Sequence, residues 1–445
     1  MKSKLITQFA ITCMLCIGIV AEAQEAATER LLSLEQAISL ASANNRVIQK
    51  SLAEVDIAKA NNQQTSAAFL PSVDVSSAYF STNDPLNAFG FKLQQQTVSA
   101  EDFNPAILNN PGSNNNFHTQ VLVEQPLINL DAWAGRKATS NQLKATEMKS
   151  EYTKAYINLL VKQTYFGLQL ALNRVDVLKK AQKTTELYLE TAENNIKQGY
   201  LKDADVMSIK VIKYEQEAKL IEAENKVKSV QESLNFLIGR DINTPVLVSD
   251  SIVQVHFSFN NVTTVNNRSD VLAMRYGLGV YESIRKSESF KFAPRINAFG
   301  AYNMYDADFG QFGSDSYLVG VKLQWRIFNG GKNIGKYKLS KANYNKAQIS
   351  YVEFLDKGNL ELSQAAREII VAESQLISYN MASDEAIESL RIRTNRYKEG
   401  LEKTSDLLMA ETKAEESLLK RLNAIYNYNV AVFNYQLLSS ESAIE

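Results

Sequence analysis

The distribution of proline most constrains the fold of this chain. Seven prolines occur in the 445 residues, and none lies between Leu127 and Thr244 or after Pro294. Proline removes a backbone donor and clashes with the preceding helical turn, so the two proline-free stretches can hold very long helices. A helix from Leu130 to Lys197 is about 100 Å long at 1.5 Å per residue. Such a rod favours a compartment-spanning protein over an ordinary soluble domain.

The residues expected to form the contact seam between packed helices recur every 3.5 positions in these stretches. Steps of three and four residues alternate along the segments 171–196, 206–237, 369–397 and 418–432. This is the period of coiled-coil packing. Polar residues such as Lys213 and Gln216 occupy some seam positions, which predicts uneven packing. An ordinary amphipathic helix is the alternative, and four registers of this length make it the weaker one.

The chain repeats one structural plan. FLPSVDVSSAYF (69–80) resembles FAPRINAFGAYN (292–303), and each half reads as helix, strand, loop, strand, long helix, turn and helix. Internal similarity of this kind indicates a duplicated architecture. We therefore predict a first structural repeat at 24–238, an equatorial linker at 239–266 and a second structural repeat at 267–445.

The N-terminus is typical of a secretory signal peptide. Two lysines precede an apolar run from Leu5 to Val20, and a small-residue cleavage pattern ends at Ala23. We expect residues 1–23 to be removed. Both cysteines, Cys13 and Cys16, leave with them, so the mature protein holds no disulfide and no cysteine ligand. A retained membrane anchor is the alternative, disfavoured because the apolar run is short for a bilayer span.

Short segments with strand-like patterns predict β-strands at about 72–82, 117–126, 295–304 and 317–328. In the fourth, apolar residues from Val319 to Ile327 alternate with polar ones, as in a wall between lipid and water. Pro71 and Pro294 stand at strand starts and Pro126 at a strand end, where hydrogen bonds of the ladder are dispensable.

A double glycine follows the fourth strand. Gly330 and Gly331 should give the backbone the freedom to pass from tilted strand to helix. The equivalent joint at 121–137 uses Pro126 and lacks this pair. We therefore expect the two barrel–tunnel joints of each subunit to bend differently.

Four strands cannot close a barrel, and an open sheet edge cannot lie in lipid. Eight strands from two chains leave an interior filled by side chains, whereas twelve strands from three chains leave a lumen. We predict an α+β membrane protein with a long α-helical coiled-coil tunnel. Four β-strands per chain contribute to a 12-stranded trimeric transmembrane β-barrel, and the Asn-rich loop 81–117 faces outward. A small soluble sheet against a helical body is the alternative.

These features follow one another in the same order in both halves of the chain. Together they resemble the TolC family of outer-membrane channels across essentially the whole mature chain. The resemblance rests on LSLEQAISLASANN (32–45), on QPLINLDAWAGR and WRIFNGGKN leaving the strands, and on paired turns containing Gly199 with Asp205 and Gly400 with Asp406. It implies a homotrimer in the lipid of the bacterial outer membrane, with its helical part in the periplasm.

The resemblance also implies partners and a role. Channels of this family receive substrates from an inner-membrane pump of the RND, ABC or MFS type through a periplasmic adaptor (membrane fusion) protein. They conduct them passively to the exterior in tripartite efflux or type I secretion. Small-molecule efflux, of drugs or metals, and protein secretion both stay open, because specificity lies mainly in the pump.

A periplasmic gate at the two tip turns follows from the same resemblance. Asp406 matches the family's first constriction aspartate, whereas Met409 stands where the second is expected. Three copies of a carboxylate around a narrow axis select cations, so this entrance should be less anionic than in well-known relatives. The alternative role for Asp205 and Asp406 is helix N-capping, and both roles can coexist.

Polar links between neighbouring hairpins close the tip in this family. Tyr397 and Asp205 match a tyrosine–aspartate link. Glu402 and Ala204 replace the arginine and threonine of a second link, with Lys403 as a candidate substitute. We therefore expect a tip closed by a single latch.

No pattern in the sequence predicts an enzyme, a cofactor or a metal site. His118 and His256 lack partner ligands at metal-binding spacing. The formal net charge of −1 gives no indication of nucleic-acid binding. The alternative function is a non-channel periplasmic coiled-coil adaptor or a structural protein. An adaptor carries one helical hairpin between the halves of a lipoyl-like domain, whereas this chain predicts two hairpins and paired strands.

Overall fold

The computed structural model describes residues 31–198, 201–249, 251–258 and 264–439. The predicted signal peptide and Gly199 lie outside these residues. The chain divides into two compact units. The helical unit comprises the described residues of Met1–Ala41, Leu160–Val255 and Gln375–Asn427, and the sheet unit those of Ser42–Leu159, His256–Ser374 and Tyr428–Glu445.

Helices dominate the secondary structure. In chain order they are α1 (Leu34–Asn44), α2 (Arg46–Gln64), α3 (Pro85–Gln94), α4 (Pro105–Asn109), α5 (Leu130–Lys197), α6 (Asp203–Ile238), α7 (Ser269–Phe290), α8 (Lys332–Lys398) and α9 (Thr404–Ser439). Short 3-10 helices lie at Thr65–Ala68 and Ala100–Phe103. The two longest helices, of 68 and 67 residues, occupy the proline-free stretches, and the bounds of α5 are those that the sequence predicted.

The first predicted helix is two helices. Ser33 and Gln36 form a capping box at the start of α1, each donating its backbone N–H to the other side chain at 3.1 Å. The helix does not continue unbroken, because Asn45 lies between α1 and α2. Its Oδ1 accepts the N–H of Val47 at 2.9 Å and that of Ile48 at 3.3 Å, which caps α2.

Nearly all predicted seam positions are buried or half-buried in the helices. In α6, Val206, Ile209, Gln216, Ala223 and Leu234 of the predicted register are all buried. In α8 the predicted register holds for Ile369, Ala372 and Leu376, which are buried, but not for Ile387, which is exposed. Ile387 keeps 40% of its surface exposed in the described chain. No helix within the described ranges is long and apolar enough to span a membrane.

The sheet belongs to the sheet unit. Its strands are β1 (Ser72–Thr82), β2 (Asn114–Ile128), β3 (Arg295–Asp306) and β4 (Ser314–Gln324). Within the described chain they form one antiparallel sheet in the order β1-β2-β3-β4. β1 and β4 therefore each have one edge without a partner strand.

The strand register gives the sheet two chemically different faces. Val75 lies opposite Val121, Val121 opposite Tyr302, and Tyr302 opposite Tyr317. Because side chains alternate between faces, one face carries Val73, Val75, Tyr79, Phe117, Val121, Val123, Tyr302, Tyr317, Val319, Val321 and Leu323. The other carries Asp74, Ser76, His118, Gln120, Glu124, Asn303, Tyr305, Ser316, Lys322 and Gln324. We call these the apolar face and the polar face. Each face has exceptions: Ser77, Thr119, Asp306 and Asp315 lie on the first, and Phe80, Leu122, Phe299 and Leu318 on the second.

Several of the predicted strand bounds are wrong. β2 and β4 begin at Asn114 and Ser314 rather than at about 117 and 317. β4 ends at Gln324 rather than at residue 328, because its partner β3 begins at Arg295, directly after Pro294, which has no N–H to donate. Pro126 does not stand at a strand end. It lies inside β2 at a register shift between Pro126 and Ile128, and a bulge tolerates proline because the ladder is already interrupted there.

Candidate functional site

The tip of the helical unit is built from the starts of α6 and α9 and the turns that precede them. Ala192 of α5, Val206 and Ile209 of α6, and Leu408 of α9 form one buried apolar cluster. This cluster packs the first turns of α6 and α9 against the end of α5. The predicted gate residues that the structure describes therefore lie on helices and turns that pack against one another.

Gly400 occupies the turn between α8 and α9. Its φ is +72°, in the left-handed region that favours glycine. Its N–H donates to the carbonyl of Tyr397 at 3.0 Å, and the N–H of Leu401 donates to the carbonyl of Arg396 at 2.9 Å. These two bonds complete the C-terminus of α8, so the glycine is required by the backbone conformation.

The two tip aspartates differ in their local roles. Asp205 accepts the backbone N–H of Lys202 at 3.2 Å at the start of α6. Asp406 lies in the first turn of α9, where Ser405 Oγ donates to its Oδ1 at 3.4 Å. Both carboxylates are half-buried. Asp205 therefore has the helix-capping role that was predicted as the alternative to a role in the gate.

Tyr397 lies in the core of the tip. Its side chain is 9% exposed, packs with Leu407, and meets the ring of Tyr188 edge-on at 6.4 Å. Its hydroxyl finds no hydrogen-bond partner among the described residues. The predicted link to Asp205 is therefore not made within one chain, because the tyrosine is directed into the core and the carboxylate caps its own helix. A link between subunits stays a prediction.

Glu402 has a role that the sequence did not reveal. Arg393 donates to its Oε1 at 2.6 Å and Arg396 to its Oε2 at 2.8 Å. Hydrogen bonding from Arg396, together with the charge of both arginines, lowers the pKa of Glu402. The carboxylate thereby fastens the turn to the last turns of α8. We call this pair of ion pairs the Glu402 clamp. The signal that could have predicted it is two arginines three residues apart before a glycine turn, followed by a glutamate.

Lys403 and Met409 are both exposed. The carbonyl of Lys403 accepts the N–H groups of Asp406 and Leu407 at 3.1 and 3.2 Å, so it begins α9. Met409 is 64% exposed and borders a groove of about 680 Å³ at the tip. Asp205 lines the same groove. The structure thus brings Asp205 and Met409 to one groove and places Tyr397 in the core.

Two buried glutamates near the tip were not predicted from the sequence. Glu411 and Glu415 of α9 are 5% and 4% exposed. Glu415 accepts Lys219 Nζ at 2.9 Å and Gln216 Nε2 at 3.2 Å. Glu411 Oε2 has no hydrogen-bond partner in the described chain. Burial, and then the charge of Glu415, raise the pKa of Glu411 to about 7. Both residues continue the 3–4 register of Leu418 and Leu422, which was the available signal.

The joints between strands and helices belong to the sheet unit. Pro71 and Pro294 lie directly before β1 and β3. Gly330 and Gly331 precede α8 with φ of +67° and +80°, and a Cβ at either position meets nothing within 4 Å. The double glycine is therefore needed for backbone conformation and not for space.

The other joint is held by an ion pair. Asp131, in the first turn of α5, is buried and pairs with Arg295 at the start of β3. The two joints thus use different local structures: one has left-handed glycines, and the other has a strand bulge at Pro126 with a charged contact.

No cluster of three or more His, Cys, Asp or Glu residues suited to a metal ion occurs in the part of the chain that the structure describes. His118 lies on the polar face of the sheet, where its ring stacks on Tyr305 at 4.7 Å and bonds Asn303 at 3.0 Å. These contacts account for that histidine as part of a polar network.

The family model described as outer membrane efflux protein matches residues 37–240 and 263–436. The comparison with curated proteins gave no significant match.

Solved structures with the same fold cover nearly all of the chain. A membrane protein from Pseudomonas aeruginosa is 17% identical, over 91% of this chain and 93% of that chain, with a TM-score of 0.80. The outer membrane protein VceC of Vibrio cholerae is 17% identical over 91% and 95%, with a TM-score of 0.78. The CmeC outer membrane channel of Campylobacter jejuni is 17% identical over 91% and 85%, with a TM-score of 0.79. At this identity the likeness shows the fold.

Proposed function

Because this chain belongs to the outer membrane efflux protein family, we propose that it is one subunit of a trimeric outer-membrane exit duct. The duct conducts substrates passively from the periplasmic side to the exterior. Its barrel lies in the outer membrane and its helices extend into the periplasm. Transport of this kind requires no catalytic group and no cofactor.

The two-faced sheet with two free edges carries this proposal. The apolar face leaves Val75 and Val319 71% and 69% exposed in a single chain, which lipid would cover. In the order β1-β2-β3-β4, the outer strands β1 and β4 run antiparallel to each other. The β4 edge of one copy can therefore pair with the β1 edge of the next and continue one antiparallel sheet. Closing the sheet into a barrel in this way pairs the free strand edges, whose backbone groups cannot stay without hydrogen bonds in lipid.

Three copies are the number that the geometry favours. Two copies supply eight strands, and a barrel of that size is filled by its own side chains. Three copies supply twelve strands, whose inward polar faces would line a water-filled lumen. The Campylobacter jejuni neighbour, an outer membrane channel, shares this fold.

We place the duct in a tripartite efflux or type I secretion system. Energy would come from an inner-membrane pump of the RND, ABC or MFS type, reached through a periplasmic adaptor protein. The exposed tip groove beside Met409 and the clamped turn at Glu402 belong to the end of the helices that faces such partners. The gate is proposed at the same end, with Asp205 and Asp406 at its constriction and Tyr397 in the core of the tip.

Fractionation with trimer analysis tests the proposal. We expect the protein in the outer-membrane fraction after detergent extraction. On gels, unheated samples should migrate as a trimer and heated samples as a monomer. A monomeric protein in the soluble periplasmic fraction would contradict the proposal and favour the coiled-coil adaptor or structural protein instead.

A further inference from the structure

The connection between β1 and β2 is a folded element. We call residues 83–113 the insert; it holds α3, a 3-10 helix and α4. Lys92 Nζ lies 2.5 Å from Asp102 Oδ1, and the rings of Phe89 and Phe103 meet edge-on at 5.6 Å. Hydrogen bonding from Lys92, followed by the N–H of Ser99, lowers the pKa of Asp102 to about 2. The insert thus has internal contacts of its own.

The insert is fastened to the second and fourth strands. Asn116 of β2 donates to Gln94 Oε1 at 3.1 Å and accepts Gln95 Nε2 at 3.0 Å. Ser314 of β4 donates to the carbonyl of Gln94 at 2.5 Å. The side chain of Asn116 is 1% exposed. These bonds hold the end of α3 across the width of the sheet.

Every one of these contacts lies on the polar face. Ser314 is opposite Tyr305, which is opposite His118, and Asn116 lies two residues before His118 on the same strand. Phe80, opposite Asn116, faces the same way, and its ring lies 6.1 Å from that of Phe91. The insert therefore covers one end of the face that would line the lumen.

The second connection behaves differently. Phe309, in the β3–β4 loop, meets the ring of Phe117 at 5.6 Å. Phe117 belongs to the apolar face, opposite Tyr79. At the same end of the sheet, one connection thus lies on the polar face and the other on the apolar face.

We propose that the insert is an outer constriction of the duct, which limits the size of what passes through the barrel. This inference rests on the proposed function, in which the polar face is the lumenal face. The insert lies at the end of the strands opposite to α2 and α5, and hence at the external mouth. Three inserts would project into a lumen lined by twelve strands. Gln94, Asn116 and Ser314 hold them there.

Site-specific labelling tests the position of the insert. Leu86 of α3 is 82% exposed, and the natural cysteines, Cys13 and Cys16, lie in the predicted signal peptide. Leu86→Cys is therefore the single reactive thiol of the mature protein. Attachment of a bulky maleimide-polyethylene glycol should reduce the single-channel current in planar bilayers to roughly half or less, because a narrow pore is sensitive to what occupies it. The matched control is Asp308→Cys in the β3–β4 loop, whose labelling should leave the current unchanged.

A second pair of variants removes the fastening. Asn116→Ala combined with Ser314→Ala should raise the conductance and admit larger neutral polymers. Ser316→Ala, on the same strand and face without a bond to the insert, should not. Labelling of Leu86→Cys that leaves the current of a conducting trimer unchanged would overturn the constriction while the duct stands. An inserted trimer that passes no current even with the Tyr397→Phe substitution would overturn the proposed function, and the constriction with it.

Discussion

Glu411 is a carboxylate buried beside a second carboxylate, and its protonation should control the stability of the tip. It faces Tyr188 of α5 and Glu415 of its own helix, and Glu415 is held by Lys219 and Gln216 of α6. The folded state raises the pKa of Glu411 to about 7 and so favours the neutral acid. Stability is then greatest below the ordinary pKa of glutamate and is lost as the pH rises through about 7.

Substitution of Glu411 by glutamine should remove this dependence. The shift corresponds to about 3 kcal/mol per subunit. We expect Glu411→Gln to melt at a higher temperature than wild type at pH 8 and at a similar temperature at pH 5, followed by far-ultraviolet circular dichroism in detergent. Glu416→Gln, exposed on the same helix, should keep the wild-type dependence. A wild-type and Glu411→Gln pair that respond identically to pH would contradict this role.

Tyr397 offers a second test at the residue scale. Its buried hydroxyl lacks a partner within the described chain, so Tyr397→Phe should not lower the melting temperature. If the hydroxyl links neighbouring subunits in the closed tip, the same variant should raise conductance in planar bilayers. Tyr188→Phe is the control, because that hydroxyl bonds Thr394 within the chain at 3.0 Å. Unchanged conductance in Tyr397→Phe would exclude the latch.

At the scale of the element, the joint before α8 depends on left-handed backbone. Gly331 has a φ of +80°, and a side chain in that region costs about 1–2 kcal/mol, more for a β-branched residue. Gly331→Val should therefore reduce the yield of assembled trimer. Leu130→Val, at the start of α5, should affect it less. Equal trimer yields from the two variants would show that the double glycine is dispensable.

The two faces of β4 should respond oppositely to charge. Val321 is on the apolar face, where an arginine near the bilayer midplane costs about 2–4 kcal/mol. Val321→Arg should therefore diminish the heat-modifiable trimer in outer-membrane fractions. Ser316→Arg, on the polar face of the same strand, should be tolerated. Loss of trimer in Ser316→Arg with normal assembly of Val321→Arg would reverse the assignment of lipid and lumen.

Elements that depend on local chemistry were predictable from the sequence. The proline-free stretch after Pro126 and the predicted turn at Gly199 marked the bounds of α5, and Pro71 and Pro294 marked the starts of β1 and β3. The insert was predictable in principle, because Asp84-Pro85 and Asn104-Pro105 are a cap followed by proline in the first turn, and both caps are made.

Features that depend on a distant partner were not predictable. The end of β4 depends on where β3 begins, and the direction of Tyr397 depends on packing against Tyr188 and Leu407. The Glu402 clamp requires a turn that folds the chain back on α8. Each of these depends on contacts that single-chain periodicity does not contain.

At the scale of the whole molecule, a single chain leaves large apolar surfaces and two strand edges uncovered. Its sheet has an apolar face without cover and two free edges, and exposed apolar residues such as Ile349 and Ile377 also lie along α8. A soluble monomer would expose all of these surfaces to water, which is unfavourable. The proposed trimer in the outer membrane would cover this face with lipid, pair the strand edges and enclose the polar face.

Single-channel recording in planar lipid bilayers tests this account most directly. Protein extracted from the outer membrane as a trimer should insert and produce discrete, stepwise increases in current. Heat-dissociated monomer from the same preparation should produce none. Trimeric protein that inserts into the bilayer but passes no ions, even in the Tyr397→Phe and Asn116→Ala/Ser314→Ala variants, would contradict the claim that three copies enclose a continuous duct.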